Sequence, residues 1–166
     1  VLVVLLDVAA ILRAAPFAFV LVGDGMEKAD LECRTRREGL SNVRLFPPMP
    51  KAQIPAFLAN VDIAYIGWQK IALYRFGIAP NKLMDYMMAG CAVLHSVDAG
   101  NDPVVEAGCG LTVPPVDPAA VAAGLRRLAA LSHEERCCMG ERGRAFVLTH
   151  HTYPVLARRF LEAMTT

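Results

Sequence analysis

The opening run VLVVLLDVAAIL is apolar except for Asp7 and gives way to Pro16. A helix over 5–15 is expected, because proline removes a backbone donor and pushes the residue before it out of helical space. FAFVLVGDG reads as a short buried strand ended by a Gly-Asp-Gly turn. Residues 26–39 are polar and amphipathic with Gly39 as a stop, which predicts a helix. NVRLF predicts a strand, PPMP a rigid loop, and residues 51–60 a short helix with Pro55 in its first turn. DIAYIGW is a third strand, 69–79 a loop, 80–89 a helix closed by Gly90, and CAVLHSV a fourth strand. DPVVEAG predicts a short helix and CGLTVPP a fifth strand. Beyond Asp117 the pattern is helical throughout. Asp117 and Pro118 form a cap and first position, Ser132 and Glu135 a capping box, and YPVLARRFLEAM ends the chain.

Five short apolar strands alternating with helices predict an α/β domain. Its expected architecture is a doubly wound, mostly parallel, Rossmann-like sheet with helices on both faces and a helical C-terminus. Ligands in such sheets bind outside the carboxyl ends of the strands. The loops at 23–25, 46–50, 68–79 and 95–102 are therefore expected to share one edge.

Composition narrows the partners. The chain has 166 residues, 55% hydrophobic and 20% charged, which fits one well-buried domain. With 17 basic and 16 acidic residues the net charge is +1, spread over several helices. That argues against nucleic acid, which needs a concentrated basic face. The apolar opening is too short to span a bilayer and lacks the charged flank of a signal peptide. The chain begins inside an element, as a fragment would. The five cysteines have no zinc spacing and read as reduced packing residues of a cytosolic protein. His150 and His151 have no acidic or Cys partner for a metal, and there is no GxSxG signature.

FGIAPNKLMDYMMAG, residues 76–90, carries the most distinctive chemistry. Lys82 falls in a first helical turn, where a cation is disfavoured by about 0.3–1 kcal/mol. A bound phosphate reverses that sign, since free backbone N–H groups and the ammonium then act on one anion. The alternative is an exposed lysine that tolerates the cost. Asp85, three residues on, suits the hydroxyls of a ribose, or else an ion pair with Lys82 or plain solvation. Gly23 and Gly25 allow a close backbone approach but do not complete a GxGxxG pattern. Phe46, Pro47 and Pro48 suit a flat wall beside a base, or a plain turn. His95 reads as a satisfied core or rim histidine rather than a catalytic one.

Taken together, VGDG, NVRLFPPMPKAQIPAFLANVDIAYI, APNKLMDYMMAGCAVLHS and EAGCGLTVPPVDPAAVAAGL resemble the C-terminal, donor-binding half of GT-B glycosyltransferases. The pattern is similar to the retaining family four, in its bacterial cell-surface polysaccharide branch. PNKLMDYMMAG is the most specific piece. The resemblance covers residues 5–165 and implies that 1–166 is one nucleotide-sugar-binding domain. The first strand of that half and the acceptor-binding N-terminal domain would lie outside it.

The resemblance implies transfer of a hexosyl or N-acetylhexosaminyl group from a nucleoside diphosphate sugar, UDP favoured over GDP. The acceptor would be a glycan or a lipid-linked hydroxyl, with retention of configuration. Asn81, Lys82, Asp85, Gly77, Ile78, Gly23, Gly25, Phe46 and Pro47 are the implied donor-site residues. No catalytic residue, cofactor or metal is implied for this stretch. The family often carries two glutamates seven residues apart; the second falls at Asp85, whereas the first falls at Gly77 and is missing. A cytoplasmic enzyme, peripheral at the inner membrane at most, is expected. So is a stretch that catalyses nothing alone. A GT-B-like epimerase and a non-enzymatic nucleotide-binding module stay open as alternatives.

Overall fold

Short polar side chains and prolines start the helices where the pattern expects them. Asp102 accepts from the Val104 and Val105 N–H groups ahead of Pro103–Ala107, and Asp117 from the Ala120 N–H ahead of Pro118–Ala129. Ser132 and Glu135 form a reciprocal capping box ahead of His133–His150, satisfying two amide donors that a helix cannot bond internally. The computed structural model describes residues 2–165. They form α1 (Leu2–Ile11), β1 (Phe19–Val22), α2 (Lys28–Arg37), β2 (Val43–Phe46), α3 (Ile54–Leu58), β3 (Ile63–Gly67) and α4 (Asn81–Met88). There follow β4 (Ala92–Ser96), α5 (Pro103–Ala107), β5 (Gly110–Val113), α6 (Pro118–Ala129), α7 (His133–His150) and α8 (Tyr153–Met164).

Three expectations change in detail. The helix expected over 5–15 is α1, which spans Leu2–Ile11 and gives way to a turn before Pro16. The helix expected over 51–60 divides into a 3₁₀ turn, Lys51–Gln53, and α3, with Pro55 near the start of α3 where its missing N–H costs nothing. The loop expected over 69–79 contains a 3₁₀ helix, Ala72–Phe76, that ends at Gly77 with φ 106°.

Every strand pairing is parallel, so the expected α/β architecture holds. The five strands nevertheless form two hydrogen-bonded groups, β1-β2 and β3-β4-β5. One apolar core joins them: Phe19 and Val43 from the first group, Leu94 from the second, Leu6 of α1 with Leu12 just beyond it, and Val121 and Leu128 of α6. A second cluster on the opposite face holds Val93 with Leu83 and Met87 of α4 and Val147 of α7. Consecutive residues Val93 and Leu94 thus enter opposite cores, and all five residues of β4 are buried, as expected for a parallel strand covered on both faces. The β1-β2 pair instead alternates: Phe19 and Val43 are buried while Val20, Arg44 and Phe46 are exposed. Arg34 of α2 ties this side together by bonding Glu38 and Asp7 of α1. Among the described residues no helix is long and apolar enough to cross a membrane. Cys91 and Cys109 are buried, whereas Cys33, Cys137 and Cys138 are exposed, all as free thiols.

Candidate functional site

Because the strands within each group run the same way, their carboxyl ends bring distant loops to a common edge of that group. Val22 pairs with Phe46, so Gly23 and Gly25 follow one strand where Phe46 and Pro47 end its neighbour. Gly23 has φ 146° and bonds its N–H to the Phe46 carbonyl. A Cβ at Gly23 or Gly25 would meet nothing within 4 Å, so both face open space. Phe46 is 48% exposed. On the other group, Gly67 pairs with Ser96 and Ser96 with Val113, which sets the 68–80 and 97–102 segments side by side.

These two segments are clamped together. The Ile78 N–H donates to Asn101 Oδ1 at 2.7 Å, and Asn101 Nδ2 donates to the Ile78 carbonyl at 3.0 Å. The Gly100 N–H donates to the Tyr74 carbonyl at 2.9 Å. A Cβ at Gly100 would land on the Arg75 carbonyl oxygen, so only glycine permits this approach. Arg75, Phe76, Gly77, Ile78, Ala79, Gly100 and Asn101 line an open groove of about 510 Å³. Gly77 sits in a backbone region that other residues adopt only under strain, and a Cβ there would stand 3.1 Å from Asn101 Oδ1. A glutamate at this position would disturb the clamp, which gives a physical reason for its absence.

Beyond the groove, α4 begins. Its cap residue Pro80 has no polar side-chain atom to offer, and no side chain caps this end. Lys82 and Asp85 are both exposed. Among the described residues they do not pair with each other, so the ion-pair alternative for Asp85 is not observed, while its exposure fits both the ribose reading and plain solvation. Gly77, Ile78, Asn81, Lys82 and Asp85 therefore lie along one continuous segment from groove to helix. Gly23, Gly25, Phe46 and Pro47 lie at the carboxyl end of the other strand group.

His95 is fully buried. Its Nδ1 bonds Asp102 Oδ1 at 2.9 Å and its Nε2 accepts from Trp68 Nε1 at 3.2 Å. Both ring nitrogens are occupied, so it offers no acid or base to a ligand. Burial opposes ionisation of Asp102, yet bonds from His95, Thr112 and the α5 backbone outweigh it and hold the carboxyl below its ordinary value. Sequence reasoning named the 95–102 loop but no site residue in it. The signal available was the run Asp98-Ala-Gly-Asn-Asp102, dense in turn formers between a strand and a helix.

A sequence profile described as glycosyl transferases group 1 matches residues 2–130. The chain belongs to that family. No curated protein matches the sequence. Several solved structures share the fold. Sucrose-phosphate synthase from Thermosynechococcus elongatus aligns at TM-score 0.77 and 18% identity, over 95% of this chain and 40% of its own. Anabaena HepE, solved in complex with UDP-glucose, aligns at 0.75 and 17%, over 98% of this chain and 44% of its own. A C-terminal domain of a group 1 glycosyl transferase from Francisella tularensis aligns at 0.67 and 19%, over 91% of this chain and 80% of its own. This chain thus has the Rossmann-like half of a GT-B fold and spans well under half the length of the first two.

Proposed function

We propose that these residues are the donor-binding half of a glycosyltransferase that moves a sugar from a nucleoside diphosphate sugar to a glycan or lipid-linked acceptor, with retention. The observation that carries the reading is the uncapped amino end of α4, with exposed Lys82, beside the Arg75–Asn101 groove. In this reading the α4 amide groups and Lys82 hold the pyrophosphate and stabilise the charge that develops as it leaves. Asp85 accepts the ribose hydroxyls. The Gly77 and Ile78 backbone faces the sugar, in place of a carboxylate. Gly23 and Gly25 let the donor approach the β1 edge, and Phe46 with Pro47 walls the base. UDP is the first choice of nucleotide, supported by the UDP-glucose complex of HepE; GDP is the second. A hexosyl or N-acetylhexosaminyl group, a family-four assignment, a bacterial cell-surface polysaccharide as product and a cytoplasmic, membrane-peripheral setting complete the proposal. The epimerase alternative loses ground, because it needs an exposed acid or base and His95 is buried.

The domain reading is part of the same proposal. A doubly wound sheet reverses its chain progress once, and here the hydrogen bonding between strands is interrupted between β2 and β3. In doubly wound sheets with order 3-2-1-4-5-6 the strand at that reversal is the first one. A further parallel strand, from outside residues 1–166, would join the β1 and β3 edges, and the acceptor-binding half would precede it. Residues 1–166 alone then bind donor weakly and turn nothing over.

Titration with UDP, GDP and ADP by NMR tests the reading, with UDP expected to bind most tightly. Asp85→Ala is expected to weaken binding by roughly tenfold or more, the scale of a hydrogen bond to a charged group, with the fold unchanged. Lys82→Ala is expected to flatten the salt dependence. Failure of all three nucleotides to bind at millimolar concentration, or equal salt slopes with and without Lys82, would sink it.

A further inference from the structure

The Trp68–His95–Asp102 chain lies behind the groove and touches none of its space. Asp102 accepts from four groups on three elements: His95 of β4, Thr112 of β5, and the Val104 and Val105 N–H groups of α5. An ionised carboxylate only accepts, so His95 Nδ1 must carry the proton. An indole Nε1–H only donates, so His95 Nε2 must be bare. Both neighbours demand the same neutral tautomer. Trp68 in turn packs edge-on against Tyr74, ring centroids 5.2 Å apart at 81°, and the Tyr74 carbonyl accepts both the Gly77 and the Gly100 N–H. The groove segment is therefore pinned at Trp68 from within the sheet, at Tyr74 by Gly100 and at Ile78 by Asn101.

We propose that His95 and Asp102 are positioning residues for the 68–80 segment: the carboxylate sets the imidazole tautomer, the imidazole holds the Trp68 indole, and the indole fixes the shape in which Gly77 and Ile78 meet the ligand. The last step rests on the donor-site reading above; the first two do not. A wrong tautomer turns Nε2–H towards the indole N–H, and two donors then face each other across a buried contact, which breaks the tie.

Long-range ¹⁵N NMR of the parent protein, with His95 assigned through its contact to the indole, should show a neutral ring protonated on Nδ1. The chain contains one tryptophan, so its indole N–H gives one resonance whose exchange with solvent reads the tie. Asp102→Asn keeps a good helix cap but no longer dictates the tautomer. It is expected to speed indole exchange and to weaken UDP binding by roughly three- to tenfold, the scale of one lost hydrogen bond. Trp68→Phe should weaken UDP binding by a similar factor. The double variant should lose no more than either single, because both cut the same path. An Nε2-protonated ring in the parent, unprotected indole exchange, or fully additive losses would overturn the proposal. If the parent binds no nucleotide, the donor reading falls, while the tautomer and exchange measurements still decide whether His95 and Asp102 hold Trp68.

Discussion

The two strand groups solve the same folding problem with different thoroughness. In β3-β4-β5 both faces are covered, β4 is wholly buried, and the loops at its carboxyl end are tied by Asn101, Gly100 and the His95 relay. In β1-β2 only one face packs, Val20 is 44% exposed, and the Gly23–Gly25 turn is held by a backbone bond from Gly23 to Phe46, a backbone bond from Lys28 to the Gly25 carbonyl and an Asx contact within the turn. The rigid half carries the groove and α4; the open half carries the glycines and Phe46. The difference teaches that order at a site is built by burying its supports. In the proposed donor site, one wall would be preformed and the other free to adjust.

The largest test of this contrast is in the cores. Leu94→Ala should cost about 2–5 kcal/mol, the range for deleting a buried leucine, while Val20→Thr on the open face should stay within about 0.5 kcal/mol. Urea denaturation of both variants reads the difference; equal losses would mean that the two groups are buttressed alike. Next come the glycines. Gly100→Ala forces a methyl onto the Arg75 carbonyl and should cost about 1–3 kcal/mol, as overpacking does, along with loss of the groove signals in NMR. Gly25→Ala, with open space around it, should be nearly silent. The smallest effect is on the acid side. Asp102 and Glu38 both titrate below their ordinary values, Glu38 because Arg34 bonds it. A lowered carboxyl contributes stability above its unfolded value, and that contribution is lost as pH falls through the folded one. Denaturation midpoints should therefore drop below about pH 4. Asp102→Asn should shrink that drop at any salt concentration. Glu38→Gln should matter only at low salt, because its partner is screened by solvent.

Much of this was legible in the chain. Asp117-Pro118 and Ser132 with Glu135 announce helix starts by local chemistry, and the five strands stand out as apolar blocks between turn formers. The PNKLMDYMMAG run marks α4 and its charged start. Its neighbours were hidden because their partners are remote: Asn101 clamps a residue 23 positions earlier and His95 meets Trp68 across 27. No local periodicity encodes such pairings. The division of the strands into two groups was equally invisible, since strand order depends on hydrogen bonds between segments rather than on any one segment. Gly77 shows how the two kinds of information meet. The family resemblance implies a carboxylate that Gly77 lacks, and geometry shows a positive φ locked against Asn101.

The buried sulfurs give the rigid half a built-in clock. Cys109 is wholly enclosed, and burial pushes its thiol up to about 11, so a thiol-reactive dye can reach it only when the β4–β5 region opens. Cys33, Cys137 and Cys138 stand in solvent and would label at once. The lag between the fast and slow sulfurs would time the breathing of the very scaffold on which the groove is built.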